Sequence, residues 1–108
     1  MTDRELLELA AKAAGIEVMD WYGDRYSCRN RFETDLFGWN PLTDDGDALR
    51  LAVKLALHIE HRQINDTDFV IAYDTGNYHG WKSHYDQDPY AATRRAIVRA
   101  AAEIGKEM

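Results

Sequence analysis

Three helix starts can be read in this chain, two of them followed by a glycine stop, and they limit the fold more than any other feature of the sequence. Thr2 and Glu5 have the spacing of a capping box, with Thr2 as N-cap and Glu5 at the third helical position. Leu6, Leu9, Ala10, Ala13 and Ala14 follow as an apolar stripe at helical spacing, and Gly15 stands where a left-handed residue ends a helix. Thr43 is the expected cap of a second helix, with Asp44, Asp45 and Asp47 in its first turn, where the macrodipole favours negative charge. Leu49, Ala52, Val53 and Ala56 form one stripe there, and Ala48, Leu51 and Leu55 widen it, which predicts deep burial against a sheet. Asp88 and Pro89 open a third helix as N-cap and first helical residue. Tyr90, Ile97, Ala101 and Ile104 lie along its apolar side, Ala100 permits close packing, and Gly105 is its expected end.

The segments between these helices favour strands. Ile16, Val18, Tyr22, Tyr26, Phe32 and Phe37 are β-formers. Strict alternation puts Met19 and Trp21 on one face, Val18 and Tyr22 on the other, with a turn at Gly23-Asp24. Arg25 to Arg31 is polar and carries no clear pattern; a second strand is expected near Phe32 to Phe37. Gly38 to Leu42 reads as a connector, since Pro41 biases Asn40 away from helix. Residues 58–64 alternate as a half-exposed strand, and Asn65-Asp66 is a turn. Phe69, Ile71 and Tyr73 then point one way, Val70 and Ala72 the other. Asp74 to Asn77 has the composition of a hairpin turn, and Tyr78 to Tyr85 returns as a strand carrying Trp81. Hairpins between helices predict an α+β fold: a mainly antiparallel sheet of about four to five strands packed with three helices, α/β/α sandwich-like. The 108 residues fit a single domain, 1–108.

Charge and cysteine usage narrow the function. A formal charge of −6 disfavours direct nucleic-acid binding, which needs cations to displace counterions, and disfavours anionic membranes. No apolar run approaches the ~20 residues that span a bilayer, and charges occupy the place of a signal-peptide core. A cytoplasmic location is expected. Cys28 is the single cysteine, so no intramolecular disulfide and no C-x-x-C zinc motif exists, and a reduced thiol is the expectation.

The familiar catalytic and metal patterns are missing from the sequence. Asp44, Asp45 and Asp47 lack the spacing of a calcium loop and are explained by first-turn capping. His58 and His61 fall on opposite faces of a strand; His79 and His84 are likewise separated by an odd number, so no zinc site is expected. Ser27 and Ser83 lack a nucleophile-elbow context, and Gly76 and Gly80 lack the lysine and helix start of a phosphate loop. No metal, cofactor or enzymatic activity is expected. Arg94, Arg95 and Arg99 are the one basic cluster; they suit an anion such as phosphate or carboxylate, or else pairing with the chain's own acids. Tyr73, Tyr78, Trp81 and Tyr85 gather around the polar hairpin, and exposed Tyr and Trp are typical interface anchors, so these four are the candidate partner-binding surface. An exposed sheet edge also invites homodimer formation.

Two stretches carry a resemblance. Trp39-Asn40-Pro41-Leu42-Thr43-Asp44-Asp45-Gly46-Asp47-Ala48-Leu49-Arg50-Leu51-Ala52 and the run from Asp88-Pro89-Tyr90 to Ile104-Gly105 resemble small tailed-phage accessory proteins described as carrying a phage ABA-sandwich domain. The first helix, ending at Gly15, fits as well, whereas residues 19–37 and 74–87 carry none of the likeness. The resemblance implies an α/β/α sandwich and a phage origin, and it transfers no catalytic residue. It also implies a role on host machinery. The expectation is a non-enzymatic bacteriophage protein that binds a host or phage protein in the host bacterial cytoplasm, perturbing a defence system such as CRISPR. A small-ligand or nucleotide binder acting as a sponge is the alternative, and a metal-dependent enzyme a more distant one.

Overall fold

The computed structural model describes residues 1–30, 37–74, 80–85 and 88–108. The chain order is α1 (Asp3–Ala14), β1 (Ile16–Tyr22), β2 (Arg25–Asn30), β3 (Phe37–Trp39), α2 (Asp45–Lys54), β4 (His58–Ile64), β5 (Thr67–Tyr73), β6 (Gly80–Tyr85) and α3 (Pro89–Lys106). This is the expected α+β composition, with three helices and antiparallel strands. The strands divide into two sheets, β1-β2-β3 and β4-β5-β6, because α2 intervenes between the two runs of hairpins.

α1 starts and ends where the local signals place it. Glu5 N–H donates to Thr2 Oγ1 at 3.1 Å, and Thr2 N–H donates back to Glu5 Oε2 at 3.3 Å. Gly15, at φ 72°, closes the helix with its N–H directed at the Ala11 and Lys12 carbonyls. Leu6, Leu7, Ala10, Ala11 and Ala14 are buried. They meet α3, whose buried face is nearly all small: Ala92, Ala96, Ala100, Ala101, Ala102 and Gly105, with Ile97 and Val98. Arg95 contacts Asp3, Gly105 meets Leu9, and the Met108 carbonyl accepts from Lys12 Nζ, so the two helices run parallel.

Gly105 does not end α3, which continues through Lys106. A Cβ on Gly105 would lie 2.0 Å from the Leu9 carbonyl oxygen; the glycine is there because a helix backbone passes against it. Tyr90 is 70% exposed rather than on the packed side; it lies in the first turn of α3, ahead of Arg95, which pairs with Asp3 at the start of α1. The start of α3 is as expected: Asp88 Oδ1 accepts from Ala91 N–H at 3.0 Å, and Pro89 opens the helix.

In the first sheet, Gly23 at φ 61° and Asp24 form a two-residue turn between Tyr22 and Arg25. β1 carries a bulge: Val18 pairs with Cys28, but Trp21 pairs with Tyr26. The extra residue resets the alternation, so Ile16, Val18 and Trp21 all pack on the core while Met19 and Tyr22 are exposed. Strict alternation would group Trp21 with Met19. The polar stretch 25–30 is a full strand, β2. Of the strand expected near residues 32–37, only Phe37 lies within the described residues. Phe37 opens β3, so Gly38 and Trp39, expected in a connector, are paired with Ser27 and Tyr26. Trp39 is buried, and a buried backbone needs its hydrogen bonds made. Arg4 of α1 lies over the Trp21 and Tyr26 rings, and Tyr26 Oη donates to Glu8 Oε1 at 3.0 Å, which fastens α1 to this sheet.

α2 departs most from its expected form. Its N-cap is Asp44, not Thr43: Asp44 Oδ1 accepts from Asp47 N–H at 3.0 Å, while Thr43 Oγ1 donates to the Asn40 carbonyl inside the preceding turn. The helix buries Ala48, Leu51 and Ala52 and packs against α3. Leu49 and Val53 are 62% and 71% exposed, so the anticipated wide buried face is only half buried. Ala56 is not helical. It sits at φ 53° in a Schellman ending, with Ala56 N–H on the Val53 carbonyl and Leu57 N–H on the Ala52 carbonyl.

β4 and β5 form a regular hairpin from Ile64–Thr67 to His58–Tyr73. Asn65 and Asp66 both have positive φ, 52° and 63°, as a type I′ turn requires. Val70 and Ala72 are fully buried beneath α3, which lies across β5 and β6. One continuous cluster, including Leu7, Tyr26, Cys28, Trp39, Leu51, Val70 and Val98, joins both sheets and all three helices.

Candidate functional site

The four aromatic positions expected to form a partner surface are distributed as follows. Tyr73 lies on the outer face of the β4–β5 hairpin. Its Oη donates to Glu60 Oε1 at 2.7 Å, and its ring stacks on His58 at 5.2 Å between centroids. The Glu60 carboxylate also accepts from Arg62 Nε at 2.9 Å. These bonds hold the Glu60 carboxyl below its ordinary value, through Tyr73 first and Arg62 second, while the hydrogen bond to Glu60 raises the Tyr73 phenol. Trp81 pairs with Ala72 and Tyr85 with Asp68, whereas Tyr73 pairs with Gly80. Tyr73 therefore has the opposite register parity to Trp81 and Tyr85. Tyr78 and most of the expected turn, 75–77, lie outside the described residues.

The basic cluster on α3 serves internal contacts. Arg94 Nε donates to the Leu42 carbonyl at 2.8 Å, and its guanidinium meets Asp45 Oδ1 at 2.7 Å, which ties α3 to the start of α2. Arg95 makes a two-pronged pair with Asp3, both bonds at 3.2 Å. Arg99 is half-buried and also engaged. Among the described residues no three His, Cys, Asp or Glu side chains converge as a metal site would require.

A second locus emerges where β1, β3 and α2 meet, one that motif reading passed over. Its polar heart is Asn40 and Asp47, 7% and 6% exposed. Asn40 N–H donates to Asp47 Oδ2 at 2.9 Å, and Arg50 donates to Asp47 Oδ1 at 2.7 Å. The Asn40 side chain bridges outward: Oδ1 accepts from Leu42 N–H at 3.0 Å, and Nδ2 donates to the Asp24 carbonyl in the β1–β2 turn. The sequence signal was present as Asn-Pro, which favours an Asx turn of this kind. The buried carboxylate could not be foreseen, since Asp47 reads equally well as a first-turn helix acid.

Beside this node lies a cleft of about 450 Å³. Ile16, Phe37, Trp39 and Leu51 give it apolar lining, and Asp47, Arg50 and Lys54 of α2 add charged groups. A smaller polar recess of about 180 Å³, lined by Asp24, Arg25, Thr43 and Asp44, shares Gly38, Trp39 and Asp47 with it. The volume of the larger cleft is within the range of small-molecule sites. Leu49 and Val53 are exposed on α2 outside the cleft, to which α2 contributes Asp47, Arg50, Leu51 and Lys54.

Cys28 is fully buried beneath this region. Burial, and secondarily the charge of Asp47, push its thiol up to about 11, so it is a neutral packing group near pH 7 and not a nucleophile. No helix is long and apolar enough to cross a membrane among the described residues. Compared with known protein families, curated proteins and solved structures, the chain matches none of them.

Proposed function

We propose that this chain is a non-enzymatic bacteriophage accessory protein that binds a host or phage protein in the host cytoplasm, with inhibition of a bacterial defence system such as CRISPR as its role. The phage assignment rests on the two sequence stretches quoted above. One structural observation supports the binding reading: Leu49 and Val53, one helical turn apart, expose large aliphatic side chains on α2. Helix-in-groove recognition uses anchors at this spacing. In a tagged copy expressed in a host, the double substitution Leu49→Asp and Val53→Asp should abolish retention of the partner without lowering the melting temperature, since both side chains are solvent-facing. Unchanged retention would remove α2 as the contact face, and loss on Tyr73→Ala or Trp81→Ala instead would return it to the hairpin.

A second reading, a small-ligand or nucleotide binder, is supported by the cleft itself, where Arg50 and Lys54 bring positive charge beside aromatic rings in a chain of net −6. Thermal-shift measurements with nucleotides separate the two. A ligand at about 100 times its Kd raises stability by about 2.7 kcal/mol, and no shift at millimolar nucleotide would exclude this use.

A further inference from the structure

We propose that two copies of this chain associate through the outer edge of β4, antiparallel about a two-fold axis at His61, so that their β4-β5-β6 sheets become one. β4 is an edge strand, and α3 lies over β5 and β6, leaving β4 furthest from the helices. Among the described residues no strand bonds its outer side.

The type I′ turn determines which backbone groups face that side. In a two-residue hairpin the flanking pair, here Ile64 and Thr67, exchanges both backbone hydrogen bonds. Counting back in twos, Arg62, Glu60 and His58 also direct their N–H and C=O groups to β5. Ile59, His61 and Gln63 therefore direct theirs outward. A symmetric antiparallel pair can join only residues of like direction, so the axis must fall on a residue and not between two.

Side-chain charge then selects the register. An axis at Glu60 would set Glu60 against its own copy, and an axis at Arg62 would set two Arg62 side chains together. An axis at His61 places Glu60 of each chain opposite Arg62 of the other, twice. These are non-hydrogen-bonded positions, where facing side chains approach most closely. Within one chain Glu60 and Arg62 already meet at 2.7 Å on the outer face; Arg62 takes Oε2 and Tyr73 bonds Oε1, which leaves Oε1 one lone pair for a second guanidinium. The edge thus carries charges that protect against random pairing, yet are complementary to themselves in one register.

Sedimentation velocity over a concentration series tests the proposal. The unmodified chain should dimerise, and Glu60→Arg or Arg62→Glu alone should weaken the dimer by about tenfold or more, since each sets two like-charge pairs across the axis. An equimolar mixture of the two variants should form a heterodimer, because the doubly positive edge of one then faces the doubly negative edge of the other. Circular dichroism and melting of each variant verify that it is folded, and the heterodimer itself shows that both edges are intact. A chain that stays monomeric up to about 1 mM overturns the proposal. So does a dimer that neither substitution weakens, or a mixture that yields no heterodimer. The readout involves no residue of α2, so it is independent of the partner-binding reading above.

Discussion

At Gly105 one hydrogen atom is all the space the fold leaves. Replacing an exposed helical glycine by alanine normally stabilises a helix by up to about 1 kcal/mol. Here the new Cβ would fall 2.0 Å from the Leu9 carbonyl oxygen, a backbone atom that cannot turn aside. Gly105→Ala should therefore lower stability by about 2 kcal/mol in urea denaturation, the overpacking sign rather than the propensity sign. Asp47 gives a second prediction at this scale. Asp47→Ala removes the acceptor of the buried Asn40 N–H and should cost about 1–3 kcal/mol, and Asp47→Asn, which keeps a carbonyl oxygen in place, should cost less. The contrast between residues explains what could be read from sequence. Thr2, Glu5, Gly15, Asp88 and Pro89 act on neighbours a few positions away, and their roles were legible. Gly105 acts on Leu9, far away along the chain, so its local appearance as a helix terminator misled.

The end of α2 shows the same limit for a whole element. Its Schellman turn needs a left-handed residue at position 56 and has an alanine there, at φ 53°. A left-handed alanine costs roughly 1–2 kcal/mol that glycine does not incur. Ala56→Gly should raise the urea midpoint, a gain of about 1 kcal/mol, because the residue is exposed and lies outside the helix proper. With no glycine to mark the stop, the apolar stripe in the sequence runs past the true end at Lys54, and its members Leu49 and Val53 stay outside the core. β1 hid its bulge in a similar way. Alternation can be read only while it is strict, and the extra residue between Val18 and Trp21 reverses it. The β4–β5 hairpin, with an uninterrupted register and a turn formed by Asn65 and Asp66, was legible throughout.

For the molecule as a whole, titration bounds the stable range. Glu17, Asp24 and Glu60 have depressed carboxyl pKa values, held down by Arg29, Arg25, and Tyr73 with Arg62 respectively. Their contributions are present above the ordinary values of 4.5 and 3.8 and are lost as pH falls through the depressed ones. Cys28 sets the other side. Its thiol is raised from 9.0 to about 11, so the unfolded chain gains by ionising first, and stability should fall as pH rises across that interval. Urea midpoints at pH 8 and 10.5 should differ less in Cys28→Ala than in the unmodified chain, whatever the cavity costs at both. Tyr26, whose phenol is also raised, keeps the slope from vanishing. The cleft was the part least visible in sequence, since α1, β1, β3 and α2 each contribute one or a few ordinary-looking residues to it. The α1–α3 seam has a kinetic consequence. Asp3 and Arg95 are separated by 92 positions, so a large loop must close before the small-residue contact between these helices exists. In synthesis α1 emerges with Leu6 and Leu7 uncovered and waits for nearly all of the following chain before the surface that buries them is made.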